Sequence, residues 1–441
     1  MNVFLIGAGQ VGSTVVEALH GDHELVVLDN DASRLQAISS RFDVVVFEGD
    51  GTSQRDLAQA GVGDANLIIA CTSRDEVNLV AGMFARQHAR NATTVIRTSN
   101  IEYVELWRAG QLDVDFVVSS ELETAHAIGR IIGVPAARQT DVFAEGQVQV
   151  GEFDVDEDAS SEVIGVPLRE AAIPSDSKVA AIIRGDRTIL PGGGEAVLPG
   201  DRVVVIGSPR AAKAWSALLW PEGGTVTDVV IFGAGRVGSA IARVLLDQGM
   251  SVRLVEASAE QARRVAEALP KARVYHATGL EPDFLERERI GHSQAGIFAM
   301  RDDAKNQYAA ALTRVHGIPF TIAIAHETVS VAAFEQAGID VSINPRGVTA
   351  EEIVRFAHDP RTQQVAMLEG NRYEVLDVTM RETSEYIGKP FKEMPVRGAL
   401  IGAIVRSGAA IFPHGDDVLE AGDRVIVFTE AADVPRVVGA L

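Results

Sequence analysis

Residues 7–12 read Gly-Ala-Gly-Gln-Val-Gly, and residues 233–238 repeat this motif as Gly-Ala-Gly-Arg-Val-Gly. A later segment repeats as well, because the Gly-Asp-Arg-Val of residues 200–203 returns at residues 422–425. The two offsets are 226 residues (233 minus 7) and 222 residues (422 minus 200). Duplication followed by small loop deletions produces such a drift. The sequence therefore predicts two tandem copies of one block.

The composition restricts the class of protein. The chain has 441 residues, with 40 basic and 61 acidic side chains and a formal net charge of −21. This charge repels a phosphate backbone, so we expect no nucleic acid partner. The chain has a single cysteine, Cys71, which cannot form an internal disulfide and is expected to be a small core residue at a strand end. We expect a cytoplasmic protein.

The first glycine motif lies between an apolar strand at residues 1–6 and a helix with an apolar stripe that includes Val11, Val15 and Leu19. This order is typical of a Rossmann-like dinucleotide-binding module. Its glycines allow a tight turn, the approach of a pyrophosphate and close packing of helix on strand. The N-terminus of the helix attracts phosphate groups. The predicted cofactor-binding residues of this loop are Gly7, Ala8, Gly9, Gln10, Val11 and Gly12.

A second apolar strand, residues 24–28, leads into Asp29. Asp29 follows Gly7 by 22 positions (29 minus 7), close to the spacing of about 20 that the motif requires. A carboxylate here accepts hydrogen bonds from ribose hydroxyls and repels a 2′-phosphate, which favours NAD over NADP. The alternative is that Asp29 only begins a turn with Asn30 and Asp31.

Polar side chains follow the next three predicted strands, where parallel strands border a ligand crevice. We predict that Asp50 binds the adenine amino group, or that it caps a helix beginning at Ser53. Thr72 and Ser73 are predicted to donate to phosphate or ribose, or to cap the helix that follows them. Arg97 is predicted to bind the diphosphate, with a surface salt bridge as the alternative.

Taken together, GAGQVG, Asp29, Asp50, residues 72–78 (TSRDEVN) and Arg97, all within a duplicated block, resemble the TrkA family. This family comprises cytosolic nucleotide-binding subunits of bacterial Trk potassium uptake systems, each built from two RCK (KTN) units. The resemblance implies an α/β fold of two tandem units, each with a Rossmann-like doubly wound parallel sheet and a small α/β C-subdomain. The implied domains are residues 1–135 and 136–222 in the first unit and residues 228–362 and 363–441 in the second.

The resemblance also implies a function. Such subunits assemble in a ring beneath a membrane-embedded potassium channel subunit of the Trk type and gate it according to bound NAD, NADH, ATP or ADP. For a duplicated chain the implied ring is a homotetramer, located in the cytoplasm and held peripherally on the inner face of the cell membrane by its partner. The nucleotide-contacting positions of the family fall on the loop of residues 7–12 and on Asp29, Asp50, Thr72, Ser73 and Arg97.

The second half is a less faithful copy. When the two halves are aligned, Thr278-Gly279 stands opposite residues 49–50, Met300 opposite Thr72 and Ile324 opposite Arg97. Because polar groups are lost, we expect the second site to bind adenine nucleotides more weakly, differently or not at all. Its glycines would then serve only the fold. The candidate cofactor-binding residues of this half are Gly233, Ala234, Gly235, Arg236, Val237, Gly238 and Glu256.

Two other functions share parts of this pattern. An NAD-dependent oxidoreductase has the same glycine motif and acidic residue, but it needs a proton donor or acceptor facing the nicotinamide. A second Rossmann-like copy stands where its substrate domain would be. A nucleotide-sensing regulator of a different membrane transporter is the other alternative. We expect a non-enzyme with no catalytic residues and no metal site.

Overall fold

The computed structural model describes residues 1–21, 23–221, 224, 226–357, 362–368, 372–391 and 398–441. They form two compact units. The first unit comprises Met1–His126, Val230–Gly317 and Thr321–His358, and the second comprises Ala127–Val229, Ile318–Phe320 and Asp359–Leu441. Each unit thus combines corresponding segments from the two halves of the chain.

The chain begins with six strands that form a parallel sheet. The strands are β1 (Asn2–Ile6), β2 (Glu24–Asp29), β3 (Val45–Glu48), β4 (Leu67–Ala70), β5 (Thr93–Thr98) and β6 (Phe116–Ser119). The helices that alternate with and follow them are α1 (Gln10–Leu19), α2 (Ala32–Ser39), α3 (Gln54–Gln59), α4 (Asp75–His88), α5 (Ile101–Arg108) and α6 (Ser120–Ile132). The strand order β3-β2-β1-β4-β5-β6 reverses between β1 and β4. A ligand crevice is expected at this point, beyond the carboxyl ends of the strands.

A five-stranded antiparallel sheet follows, in the order β10-β9-β11-β8-β7. Its strands are β7 (Ala137–Phe143), β8 (Val148–Asp154), β9 (Ser177–Arg184), β10 (Arg187–Ile189) and β11 (Arg202–Gly207), and α7 (Pro209–Leu219) completes this segment. The Ser208 hydroxyl caps α7 by accepting a hydrogen bond from the backbone N–H of Ala211.

The second half repeats both sheets. The large one has the order β14-β13-β12-β15-β16-β17, and its strands are β12 (Asp228–Phe232), β13 (Ser251–Glu256), β14 (Arg273–His276), β15 (Ala295–Phe298), β16 (Phe320–Ile324) and β17 (Val341–Ile343). The accompanying helices are α8 (Arg236–Asp247), α9 (Ala259–Ala268), α10 (Pro282–Arg287), α11 (Asp303–Val315), α12 (Thr328–Gln336) and α13 (Pro345–Val354).

The second small sheet is again antiparallel and has the order β18-β19-β22-β20-β21. Its strands are β18 (Thr362–Leu368), β19 (Tyr373–Thr379), β20 (Ala399–Arg406), β21 (Ala409–Ile411) and β22 (Arg424–Glu430), followed by α14 (Val434–Ala440). Read from its other edge, the first small sheet has the order β7-β8-β11-β9-β10. Each strand of the second small sheet therefore has a counterpart at the same place in the first.

Burial explains why these segments form strands. All four residues of β4 are buried, as expected for a central parallel strand covered on both faces. In the first large sheet, Phe4, Leu28 and Ile96 belong to one core. In the second unit, one core draws residues from both small sheets, including Phe143 and Phe428.

The predicted fold class is confirmed, because each half contains a Rossmann-like parallel sheet and a small antiparallel one. The four domain boundaries remain predictions. The predicted domain end at residue 222 and the stretch 358–361, just before the predicted boundary at 362, lie outside the described residues. Among the described helices, none combines the length and the apolar character that a membrane crossing requires.

Candidate functional site

The first glycine loop joins β1 to α1 at the reversal point of the sheet. Gly7 has a φ of +113°, and a Cβ there would lie 2.9 Å from the backbone nitrogen of Thr72. A Cβ on Gly12 would lie 1.9 Å from the carbonyl oxygen of Gly7. A Cβ on Gly9, by contrast, would meet nothing within 4 Å. Gly7 and Gly12 are therefore required by packing, whereas Gly9 faces open space that a ligand can approach closely.

Asp29 supports this loop from the end of β2. The buried carboxylate accepts a hydrogen bond from the backbone N–H of Ala8 over 2.6 Å. Its other oxygen accepts from the N–H of Asp31 over 2.9 Å. The turn that we considered as the alternative is thus present, and the same carboxylate also lines the cavity beside the loop. Each oxygen retains lone-pair capacity for a ribose hydroxyl.

Asp50 lies after the end of β3. Its carboxylate accepts from the backbone N–H and the hydroxyl of Thr52, both over 2.8 Å. These two hydrogen bonds hold the pKa of Asp50 below its usual value, so the group is an anion at neutral pH. The interpretation of Asp50 as a helix cap is wrong, because the Ser53 hydroxyl accepts from the N–H of Asp56 and caps α3.

Thr72 follows β4, and Arg97 lies near the end of β5. Arg97 donates from Nη1 to the carbonyl oxygen of Thr72 over 3.1 Å and from Nε to the Ser120 hydroxyl over 2.9 Å. Both acceptors are neutral, so within the described residues Arg97 does not form the surface salt bridge that was the alternative. The helix-cap interpretation of Thr72 and Ser73 is also wrong: the N-cap residue of α4 is Arg74, without a side-chain cap.

These residues border one cavity of about 890 Å³. The predicted residues of the first half that line it are Gly7, Ala8, Gly9, Gln10, Val11, Asp29, Asp50, Thr72, Ser73 and Arg97. Gly12 is absent from the lining, in keeping with its role in packing. The lining includes the guanidinium groups of Arg34, Arg41, Arg74, Arg97, Arg236 and Arg346, and the carboxylates of Asp29, Asp50 and Glu121. Six cations against three anions suit an anionic ligand.

Glu121 is a cavity residue that the sequence did not indicate. It lies in the first turn of α6, is 7% exposed, and its Oε2 has no hydrogen-bond partner. Burial raises the pKa of its carboxyl, opposed by the charges of Arg236 and Arg97. Arg236 approaches Glu121 to 3.9 Å and donates to the Ser99 hydroxyl over 2.8 Å.

The second glycine loop has the same backbone design. A Cβ on Gly238 would lie 1.9 Å from the carbonyl oxygen of Gly233, and a Cβ on Gly235 would meet nothing within 4 Å. Glu256 accepts from the N–H of Ala234 over 2.9 Å, as Asp29 does from Ala8. The acidic residue in this position therefore braces the loop in both halves.

The register of the sheets corrects one alignment. Glu48 pairs with Asp29 on β2, and His276 pairs with Glu256 on β13, so these two strand ends correspond. Asp50 is consequently equivalent to Thr278, and the alignment of residues 49–50 with Thr278-Gly279 is wrong by one position. The equivalence holds in detail, because Thr278 accepts from the N–H two residues later, as Asp50 does. The carboxylate is still lost.

A smaller cavity of about 540 Å³ lies beside the second loop and includes Gly235 and Arg236. Its charged lining consists of the carboxylates of Asp75, Glu76, Glu102, Glu105 and Glu121 and the guanidinium groups of Arg236 and Arg243. Five anions against two cations disfavour a phosphate there. Five candidate residues of this half are absent from the described lining of both cavities: Gly233, Ala234, Val237, Gly238 and Glu256.

Comparison with known proteins gives the family. The TrkA-N domain model matches residues 3–120 and 229–345, and the TrkA-C domain model matches residues 152–219 and 375–439. The chain belongs to the TrkA family.

Similarity to individual members of the TrkA family extends over the whole chain. The Trk system potassium uptake protein TrkA homolog of Archaeoglobus fulgidus is 31% identical over 99% of both chains. TrkA homolog 1 of Methanosarcina mazei is 29% identical, also over 99% of both chains. Among solved structures, the GsuK channel bound to NAD is similar with a TM-score of 0.61 and 18% identity, covering 100% of this chain and 79% of that chain. The last comparison supports the fold.

Two arginines from the second half line the first cavity, and the sequence assigned neither of them to it. Arg236 belongs to the second glycine loop, where we predicted it to serve the second site. Arg346 lies in the first turn of α13 and donates to the backbone carbonyl of His326. Their position depends on contacts between the two halves, which no local motif encodes.

Proposed function

We propose that this protein is the cytosolic regulatory subunit of a potassium uptake system. We propose further that its first cavity binds an adenine nucleotide: NAD or NADH, with ATP or ADP as a competing ligand. The full-length similarity to Trk system TrkA proteins supports the first part. The six guanidinium groups around the first glycine loop support the second and carry the most weight.

The cavity residues suit the chemical groups of such a ligand. The free N–H groups at the N-terminus of α1 attract a diphosphate, and Gly9 leaves room for it. Arg97 would add charge-assisted hydrogen bonds at this end. Asp29 would accept from the ribose hydroxyls, and Asp50, whose pKa the Thr52 hydrogen bonds hold below its usual value, would accept from the adenine amino group. These groups are common to NAD, ADP and ATP.

The described lining of the cavity contains no histidine, lysine or tyrosine. Those are the side chains from which a dehydrogenase usually takes its proton donor or acceptor. Binding without catalysis is therefore the function that we propose. The cavity is lined by residues of both halves, so a ligand that prefers one arrangement of the halves would shift the population toward it.

We propose that the second loop binds nucleotide weakly or not at all, since anions dominate its cavity. The proposed assembly is a homotetramer that lies in the cytoplasm, on the inner face of the cell membrane, held there by a potassium channel subunit of the Trk type. The domains that we propose are residues 1–135, 136–222, 228–362 and 363–441.

Two measurements test the proposal. Titration of the full chain with NADH, ATP and ADP should give saturable binding that Arg97→Ala weakens; no binding of any of the three would refute the nucleotide part. Purification of the chain with detergent-solubilised membranes from its own cells should recover a potassium channel subunit. Recovery of a different transporter would refute the choice of partner.

A further inference from the structure

Asn78 lies in the first turn of α4 and is completely buried. Its Oδ1 accepts hydrogen bonds from the backbone N–H and the hydroxyl of Thr72, both over 2.7 Å. Its Nδ2 donates to the carbonyl oxygens of Thr72 (3.1 Å) and Arg97 (2.9 Å). One amide thus holds the carboxyl ends of β4 and β5 together and uses both amide hydrogens.

This clamp acts on two residues that line the first cavity. The Thr72 carbonyl that Asn78 holds also accepts a hydrogen bond from Nη1 of Arg97. The place of the Arg97 guanidinium therefore depends on where Asn78 fixes that carbonyl. The Thr72 hydroxyl donates to Oδ1 of Asn78 and accepts from the backbone N–H of Arg74 over 3.3 Å, so this side chain is held in place on both sides.

The second half contains the same clamp, but it holds Met300 and Ile324 in place of the polar Thr72 and Arg97. Asn306, also completely buried, accepts from the N–H of Met300 over 2.9 Å. It donates to the carbonyl oxygens of Met300 (3.0 Å) and Ile324 (2.9 Å). The clamp itself therefore serves the fold in both halves, and the halves differ in the side chains that it positions.

We propose that Asn78 is a positioning residue for the phosphate end of the first cavity. By fixing the Thr72 carbonyl, it sets where the Arg97 guanidinium meets the diphosphate of an adenine nucleotide. The inference rests on the function proposed above. Buried as it is, Asn78 does not touch the ligand. Its loss should weaken the charge-assisted contacts to the diphosphate while leaving the adenosine contacts at Asp29 and Asp50 in place.

The test compares Asn78→Ala with Asn306→Ala in the full chain. NADH binding is followed by its fluorescence, and ADP and adenosine are measured as competitors. Asn78→Ala should raise the Kd for NADH and ADP by about tenfold, the size of one misplaced hydrogen bond to a charged group, and leave that for adenosine unchanged. Asn306→Ala should leave the Kd for NADH, ADP and adenosine unchanged, although its thermal midpoint should fall about as much as that of Asn78→Ala.

A second pair, Asn78→Asp and Asn306→Asp, keeps the shape and the acceptor contacts if the alanine variants do not fold. An ionised carboxylate cannot donate to the two carbonyls. We therefore expect Asn78→Asp to raise the Kd for NADH and ADP and Asn306→Asp to leave both unchanged. The positioning role would be overturned if substitution of Asn78 and substitution of Asn306 changed the Kd for NADH equally. A parallel loss of adenosine and NADH binding in the Asn78 variant would also overturn it. A wild-type chain that binds neither NADH nor ADP would instead overturn the nucleotide function itself.

Discussion

Nε2 of His326 donates to the carbonyl oxygen of Met300 over 2.9 Å. In the first half, the guanidinium of Arg97 holds the equivalent carbonyl, that of Thr72, over 3.1 Å. Ile324 stands at the position of Arg97, because Asn306 binds its carbonyl as Asn78 binds that of Arg97. The strand-end carbonyl thus accepts a side-chain hydrogen bond in both halves. In the first half the donor is Arg97, which also lines the larger cavity.

This relationship gives a matched pair of variants. Arg97→Ala should weaken NADH binding by about 1.5–3 kcal/mol, the range for a hydrogen bond to a charged group, or about tenfold to 150-fold in Kd. His326→Ala removes the corresponding contact in the second half and should leave NADH affinity unchanged. Isothermal titration of both variants measures the difference. An equal loss of affinity would place the ligand elsewhere.

The open glycine of each loop gives another matched pair. An added Cβ meets nothing within 4 Å at Gly9 or at Gly235, so Gly9→Ala and Gly235→Ala should both fold with nearly unchanged thermal midpoints. Gly9→Ala places a methyl group where the diphosphate must approach and should sharply reduce NADH affinity. Gly235→Ala should have no effect on it. A Gly9→Ala chain that binds NADH normally would contradict the proposed pose.

Substitution of the acidic residues that brace the two loops distinguishes an effect on stability from an effect on NADH binding. Asp29→Ala and Glu256→Ala each remove acceptors for two backbone N–H groups. Both should lower the free energy of unfolding, by about 1.5–3 kcal/mol each, as read from denaturant titrations. Only Asp29→Ala should also reduce NADH binding. If Glu256→Ala reduced it equally, the second loop would share the ligand.

Cys71 gives a prediction on pH. It lies beneath the first loop and is buried, and burial raises the pKa of its thiol from 9.0 to about 12. Its stabilising contribution is therefore complete below pH 9 and is lost as the pH rises from about 9 to about 12. Cys71→Ala should show a smaller fall in stability across this window. In the native wild-type chain, the thiol should resist labelling at pH 8 and react after unfolding in urea; rapid native labelling would contradict its burial.

Much of the architecture was predictable because it follows from local pattern. The glycine motifs, the apolar strands before them and the placement of Cys71 at a buried strand end all depend on neighbours in sequence. The equivalence of Asp50 with Thr278 was missed by one position, since loop deletions shift the alignment and only the sheet register fixes it.

The cavity was less predictable. Arg346 and Arg236 line it from the second half, and the buried Glu121 lies near Arg236. These placements arise from packing between segments far apart in sequence. Asn78 ends the TSRDEVN stretch of residues 72–78. That stretch does not indicate the hydrogen bonds of Asn78 to two strand ends, which are visible only when both ends are in place.

We propose that one chain presents one nucleotide site, at the first glycine loop. The most direct test is the stoichiometry of NADH binding to the full chain by isothermal titration, with Gly9→Ala as the blocked form. We expect one tight NADH site per chain in the wild type and none in Gly9→Ala. Two sites of equal affinity per chain, or one that survives in Gly9→Ala, would contradict it.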